Sequence, residues 1–65
     1  MLSFIVVAPK DSDRIYIYNQ LGIEVAQCSS MNAVFNHFYN QHILTSRFVT
    51  YAPTKCKNVI LVLIK

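Results

Sequence analysis

The stretch Ser30–Ile43, SMNAVFNHFYNQHI, decides the fold class of this 65-residue chain. Its large apolar side chains recur at intervals of three and four residues, which places them along one side of an α-helix. They are Met31, Val34, Phe35, Phe38 and Tyr39. Asparagine and glutamine lie on the other side, and Ser29 or Ser30 can cap the first turn through its hydroxyl oxygen. The pattern predicts one amphipathic helix in a chain that otherwise has the character of β-strands.

Three strands are predicted before this helix. Leu2–Ala8 is a nearly continuous apolar run, typical of a strand that is buried on both faces. Arg14–Tyr18 and Ile23–Cys28 alternate apolar and polar residues, as half-buried strands do. Gly22, the only glycine, can supply the positive φ of a tight turn between them. The region before the helix therefore predicts a three-stranded antiparallel meander.

Two strands, Arg47–Ala52 and Val59–Ile64, are predicted after the helix, and Pro53 ends the first of them because proline cannot donate to a ladder. The sequence thus predicts a single α+β domain over residues 1–65. Its architecture is a small antiparallel sheet of four to five strands (β-β-β-α-β-β) with one amphipathic helix packed on one face. The predicted core is Phe4, Val6, Ile15, Ile17, Val25, Val34, Phe35, Phe38, Phe48, Ile60, Val62 and Ile64. The other face of the sheet would meet water or a partner.

The composition predicts an exposed apolar surface. Hydrophobic residues make up 54% of the chain and charged residues only 14%, against about 25% charged in a typical soluble domain. One helix on one sheet cannot easily hide so much apolar material, so we expect the protein to self-associate, as in a homodimer, or to bind another macromolecule. The formal net charge of +3 allows contact with an acidic protein or with nucleic acid but requires neither.

Membrane insertion and secretion are not expected. The longest apolar run, Val59–Ile64, is far shorter than the ~20 residues needed to span a bilayer. The N-terminal residues lack the basic region and cleavage site of a signal peptide, and two cysteines are too few for a disulfide framework. The sequence therefore predicts reduced thiols, no membrane partner and a cytoplasmic location, in the host cytoplasm if the protein is viral.

Candidate catalytic and metal-binding residues are few and scattered. His37 and His42 lie five positions apart, so on one helix their rings diverge by roughly 140°, and Cys28 and Cys56 are isolated from them and from each other. There is no glycine-rich phosphate loop and no nucleophile elbow. We therefore expect a protein that is not an enzyme and that uses no metal and no cofactor.

Tyrosine and arginine residues on the strands supply the best candidates for partner binding. Three of them share one face of the second strand, two share a face of the fourth strand, and two lysines follow in the next loop. These partner-binding candidates are Arg14, Tyr16, Tyr18, Arg47, Tyr51, Lys55 and Lys57. Tyrosine and arginine are enriched at the energetic centres of protein interfaces, so the leading prediction is a protein partner that binds one face of the sheet.

Two functions fit these residues. The first is a small regulatory or inhibitory protein that binds and occludes a larger protein, of the kind that phages and mobile elements often encode. The second is a small basic protein that binds nucleic acid, with tyrosine rings as stacking platforms beside arginine side chains on the sheet face. The two differ in salt dependence, because phosphate contacts weaken steeply as the salt concentration rises.

Overall fold

The structure is a computed structural model that describes residues 2–42 and 48–65. In these residues the chain forms a five-stranded antiparallel sheet and one helix, in the order β-β-β-α-β-β. The elements are β1 (Leu2–Val7), β2 (Ile15–Asn19), β3 (Glu24–Cys28), α1 (Met31–His42), β4 (Val49–Pro53) and β5 (Val59–Ile64). The predicted α+β class and element order are confirmed. Ile43 and Arg47, which were predicted to belong to the helix and the fourth strand, lie outside the described residues.

The strands lie in the order β3-β2-β1-β5-β4, with every neighbouring pair antiparallel. The predicted meander of β1, β2 and β3 is confirmed. The two most apolar strands, β1 and β5, occupy the centre and pair along their full length, from Leu2 opposite Ile64 to Val7 opposite Val59. The strands β3 and β4 form the two edges of the sheet.

The helix α1 begins directly after β3 and packs across one face of the sheet. The amide of Ala33 donates to Oγ of Ser30 at 3.2 Å, so Ser30 rather than Ser29 is the N-cap residue. Val34 and Phe38 point into the sheet, and the Phe38 ring lies 5.3 Å from the Phe4 ring, centroid to centroid. The buried core consists of Val6, Ile15, Ile17, Cys28, Val34, Phe38, Val62 and Ile64.

Replacing the N-cap residue should weaken the helix. We expect Ser30→Ala to lower the free energy of unfolding by about 1 kcal/mol, because the Ala33 amide loses its acceptor and the first turn has no acidic side chain to compensate. Ser29→Ala is the matched control and should change stability much less. Urea titrations followed by circular dichroism would measure both. Equal losses in the two variants would contradict the cap assignment.

The structure corrects three members of the predicted core. Val25, Phe35 and Phe48 are exposed, Phe48 by 77%. Phe48 precedes β4 and, by strand alternation, lies with Thr50 on the face that the helix does not cover. Phe35 lies on the flank of the helix, where its ring contacts that of Tyr51. The remaining predicted core residues are buried or, for Phe4 and Ile60, half-buried against the core.

A β-bulge explains the error at Val25. The hairpin turns at Asn19 and Gly22, and Gly22 has the predicted positive φ of 80°. After the turn, Tyr18 pairs with Glu24 but Ile17 pairs with Ala26, so Val25 is an extra residue opposite the ladder. The face of β3 that meets the helix therefore carries Ala26 and Cys28 instead of the larger valine.

Candidate functional site

The face of the sheet opposite α1 is covered by none of the described elements. By strand alternation it carries the side chains that lie between the core positions of the three central strands. We call this surface the open face and define it by Ile5, Val7, Tyr16, Tyr18, Val59, Leu61 and Leu63. It is the one broad apolar surface that the sheet leaves uncovered within residues 2–42 and 48–65.

The register of the strands joins these side chains into continuous rows. Ile5 lies between Tyr18 on β2 and Leu61 on β5, and Val7 lies between Tyr16 and Val59. All seven side chains are uncharged, and a cross-strand neighbour shields each one only in part. Ile5, at the centre, is 41% exposed although it is aliphatic and lies on the middle strand. The open face is therefore an apolar patch with no charged residue at its centre.

This exposure corrects one prediction. The apolar run that became β1 was expected to be buried on both faces, whereas the structure buries the Val6 side and leaves the Ile5 side uncovered. One helix is available among the described elements, and it occupies only one face. The outward residues of this apolar run therefore form part of the exposed apolar surface that the composition predicts.

The structure separates the predicted tyrosines. Tyr16 and Tyr18 lie on the open face and are half-buried there. Tyr51 instead pairs with the core residue Val62, and its ring lies 4.9 Å from the Phe35 ring on the helix side of the sheet. Partial burial there raises the pKa of the Tyr51 hydroxyl above its ordinary value, because the phenolate loses hydration. The expectation that Tyr51 shares a face with Tyr16 and Tyr18 is therefore wrong.

The cationic candidates lie at one end of the sheet. Arg14 immediately precedes β2, and Lys55 and Lys57 lie in the connection between β4 and β5; all three side chains are exposed. The amide of Ala8 donates to the carbonyl of Asn58 at 2.9 Å, which ties this connection to the end of β1. Arg14, Lys55 and Lys57 thus flank the end of the open face that carries Tyr16. Arg47 lies outside the described residues.

Groups suited to catalysis do not converge in the described part of the chain. The cavity between α1 and β4 has a volume of about 320 Å³ and is lined by Phe35, Asn36, Tyr39, Val49 and Tyr51, without a carboxylate, thiol or imidazole. Cys28 is a buried free thiol and Cys56 an exposed one. Among the side chains of residues 2–40 and 48–65, no three His, Cys, Asp or Glu groups come together in a way that could hold a metal ion.

The described residues also contain no helix that is long and apolar enough to cross a membrane.

Sequence reasoning selected the tyrosines and missed the aliphatic part of the open face. Ile5, Val7, Leu61 and Leu63 were assigned to strands but not to a binding surface. The sequence contains a signal for this surface. Each of the two continuous apolar strands has two apolar faces, and the sequence predicts a single helix to cover them. The uncovered face was expected to carry further apolar residues and to meet water or a partner, but which residues of the two continuous runs lie on it depends on a parity that those runs leave open.

No protein family model, no curated protein and no solved structure matches this chain.

Proposed function

We propose that this protein is a non-enzymatic binding protein that regulates or inhibits a larger protein by docking the open face on it. The observation that carries the proposal is the uncovered apolar centre of the sheet, with Ile5, Leu61 and Tyr18 in one row. Contiguous exposed apolar surface of this kind marks interaction sites in soluble proteins. The mechanism we propose is steric occlusion, because a rigid sheet can block a surface without any chemical step.

The chemical character of the open face favours a protein as the partner. Its centre is aliphatic, and two tyrosines lie along one side, where each ring offers an apolar body and a polar hydroxyl group. Protein interfaces have this composition, with charged residues depleted at the core and present at the rim. Arg14, Lys55 and Lys57 lie at such a rim position, at the end of the sheet.

Site-specific photocrosslinking tests this proposal. A benzophenone amino acid introduced at Tyr18 should crosslink a defined larger protein in extracts of the source cells. The same amino acid at Asn40, on the exposed side of α1, should not. Leu61→Lys should abolish the crosslink from Tyr18, since it places an ammonium group at the centre of the open face. The double variant Tyr16→Ala with Tyr18→Ala should abolish binding to the purified partner. Equal crosslinking from both positions, or full binding by the double variant, would overturn the proposal.

Nucleic-acid binding is the second candidate, and the position of the cationic residues favours it. Arg14, Lys55 and Lys57 lie at the end of the sheet that also carries Tyr16, an arrangement in which bases stack on the ring and phosphates meet the cations. A titration with single- and double-stranded DNA and RNA at about 50 and 200 mM salt decides between the candidates. Binding that collapses at the higher salt would favour nucleic acid, whereas apolar protein binding would persist.

A further inference from the structure

The edge strand β4 carries backbone groups that no other described strand pairs with, in a pattern that the register defines. Phe48 and Lys65 exchange two backbone hydrogen bonds, of 3.3 and 3.0 Å, so they form a hydrogen-bonded antiparallel pair. Such pairs alternate along a ladder, so Thr50 and Ala52 direct their amide groups to β5, while Val49 and Tyr51 direct theirs away from the sheet. No strand of the described sheet lies beyond β4. These outward groups repeat about every 6.8 Å, the spacing of the corresponding groups on another extended chain.

The two edges of the sheet differ in how well they resist such pairing. The edge strand β3 is interrupted by the bulge at Val25 and carries the charged Glu24, two features that discourage a further strand. The strand β4 has the sequence VTYAP, with neither a bulge nor a charged residue. Its one protective feature is Pro53, which lacks a donor but still offers a carbonyl group. The sheet is therefore protected at one edge and open to strand addition at the other.

An aromatic groove lies beside the unprotected edge, on the helix side of the sheet. It is the cavity of about 320 Å³ between α1 and β4, and its wall includes Phe35 and Tyr51, whose rings are in edge-to-face contact. Tyr39, on the same wall, is 60% exposed. A strand added to β4 would direct every second side chain toward this groove, and the pairing would remove aromatic surface from water as well as satisfy backbone groups.

From this geometry we propose that β4 is a dimerisation edge, on which β4 of a second copy adds antiparallel across a two-fold axis at Tyr51. This register overlaps the whole of Val49–Pro53 in both copies. Each Tyr51 amide donates to the Tyr51 carbonyl of the other copy, and each Val49 amide donates to a Pro53 carbonyl, so the missing donor of Pro53 falls at the end of the ladder. Within Val49–Pro53 no like charges meet, because β4 carries none. A second copy fits this edge because its own β4 has the same outward groups and the same aromatic flank.

This interface is separate from the open face. The two-fold axis lies at the edge of the sheet, so both open faces stay uncovered and join into one surface twice as wide. The proposal therefore does not depend on the proposed function, and either can fail without the other.

Amide hydrogen exchange tests the register residue by residue. Across a roughly hundredfold range of protein concentration, extending to about 1 mM, the Val49 and Tyr51 amides should become protected as the mass rises from 7.5 kDa to twice that value. The Thr50 and Ala52 amides, which bond to β5, should be protected at every concentration and serve as internal controls. A mass that stays at 7.5 kDa, or a dimer in which Val49 and Tyr51 exchange as freely as in the monomer, would overturn the proposal.

Replacing the amide hydrogen of Tyr51 with a methyl group provides the matched variant, and chemical ligation at Cys56 gives access to this protein. The change keeps the Tyr51 side chain. It also leaves the pairing of β4 with β5 intact, because this amide points away from β5. We expect this variant to be monomeric with an unchanged melting curve. The Leu61→Lys variant, altered only on the open face, should still dimerise. Full dimerisation by the N-methylated protein would overturn the proposal, as would loss of the dimer in Leu61→Lys with β4 intact.

Discussion

Phe38→Ala is expected to leave the protein largely unfolded at room temperature. Phe38 is 1% exposed and links the helix to the sheet through ring contacts with Phe4 at 5.3 Å and Tyr51 at 6.4 Å. Truncating a buried phenylalanine costs about 3–5 kcal/mol, and a domain of this size rarely has more than about 3–5 kcal/mol of stability in total. Circular dichroism in the absence of denaturant, and again during a urea titration, measures the effect.

Phe35→Ala is the matched control for this result. It removes the same atoms from the same helix, one turn earlier, but from a side chain that is 41% exposed. We expect less than half of the loss and a cooperative unfolding transition, because the aromatic contact that this substitution removes, with Tyr51, lies at the surface. Equal destabilisation by the two substitutions would show that the helix presents a different side to the sheet.

Val62→Lys is expected to abolish folding at neutral pH. Val62 lies on β5 between β1 and β4, on the side that α1 covers, and it is fully buried. An ammonium group at this position would lose its hydration without gaining a partner, at a cost of several kcal/mol. Desolvation would lower the pKa of the new amine in the folded state, so the unfolded state would bind more protons and stability would rise with pH. Urea titrations at neutral and alkaline pH would detect this rise.

Leu61→Lys, at the neighbouring position, tests the same strand from the other side. Leu61 belongs to the open face, where a long side chain can extend its charged end into water. The substitution should therefore permit cooperative unfolding and cost far less than Val62→Lys. If both variants fail to fold, the open face is needed to stabilise the monomer. If both fold equally well, the assignment of β5 faces is wrong.

Much of the fold could be predicted because local signals agreed with one another. The helical spacing around Phe38 and the glycine of the β2–β3 turn predict the elements that the structure shows. The choice of Val6 and Val62 as inward positions is also confirmed. In these elements the periodicity and the turn residue point to the same arrangement, so no long-range information is needed.

The candidate site was harder to predict, because membership of a face depends on long-range pairing. One extra residue at Val25 reverses the alternation of β3, and no local pattern marks it. Tyr51 was grouped with Tyr16 and Tyr18 by residue type, although its face is determined by its register with Val62. An amphipathic tyrosine is compatible with either side of a sheet, so the sequence around it could not decide between them.

The pairing of β1 with β5 has a consequence for how the protein emerges from the ribosome. Of the five described strands, β1 is synthesised first and pairs with β5, which is synthesised last, and β4 has β5 as its only neighbour in the described sheet. Until β5 leaves the exit tunnel, the nascent chain lacks Val62 and Ile64 from its core and has no partner for β4. Such long-range closure slows folding and leaves strand edges exposed during the delay. The sheet is therefore completed only after β5 has been synthesised, and until then β1 pairs with β2 alone and packs against α1 on one face.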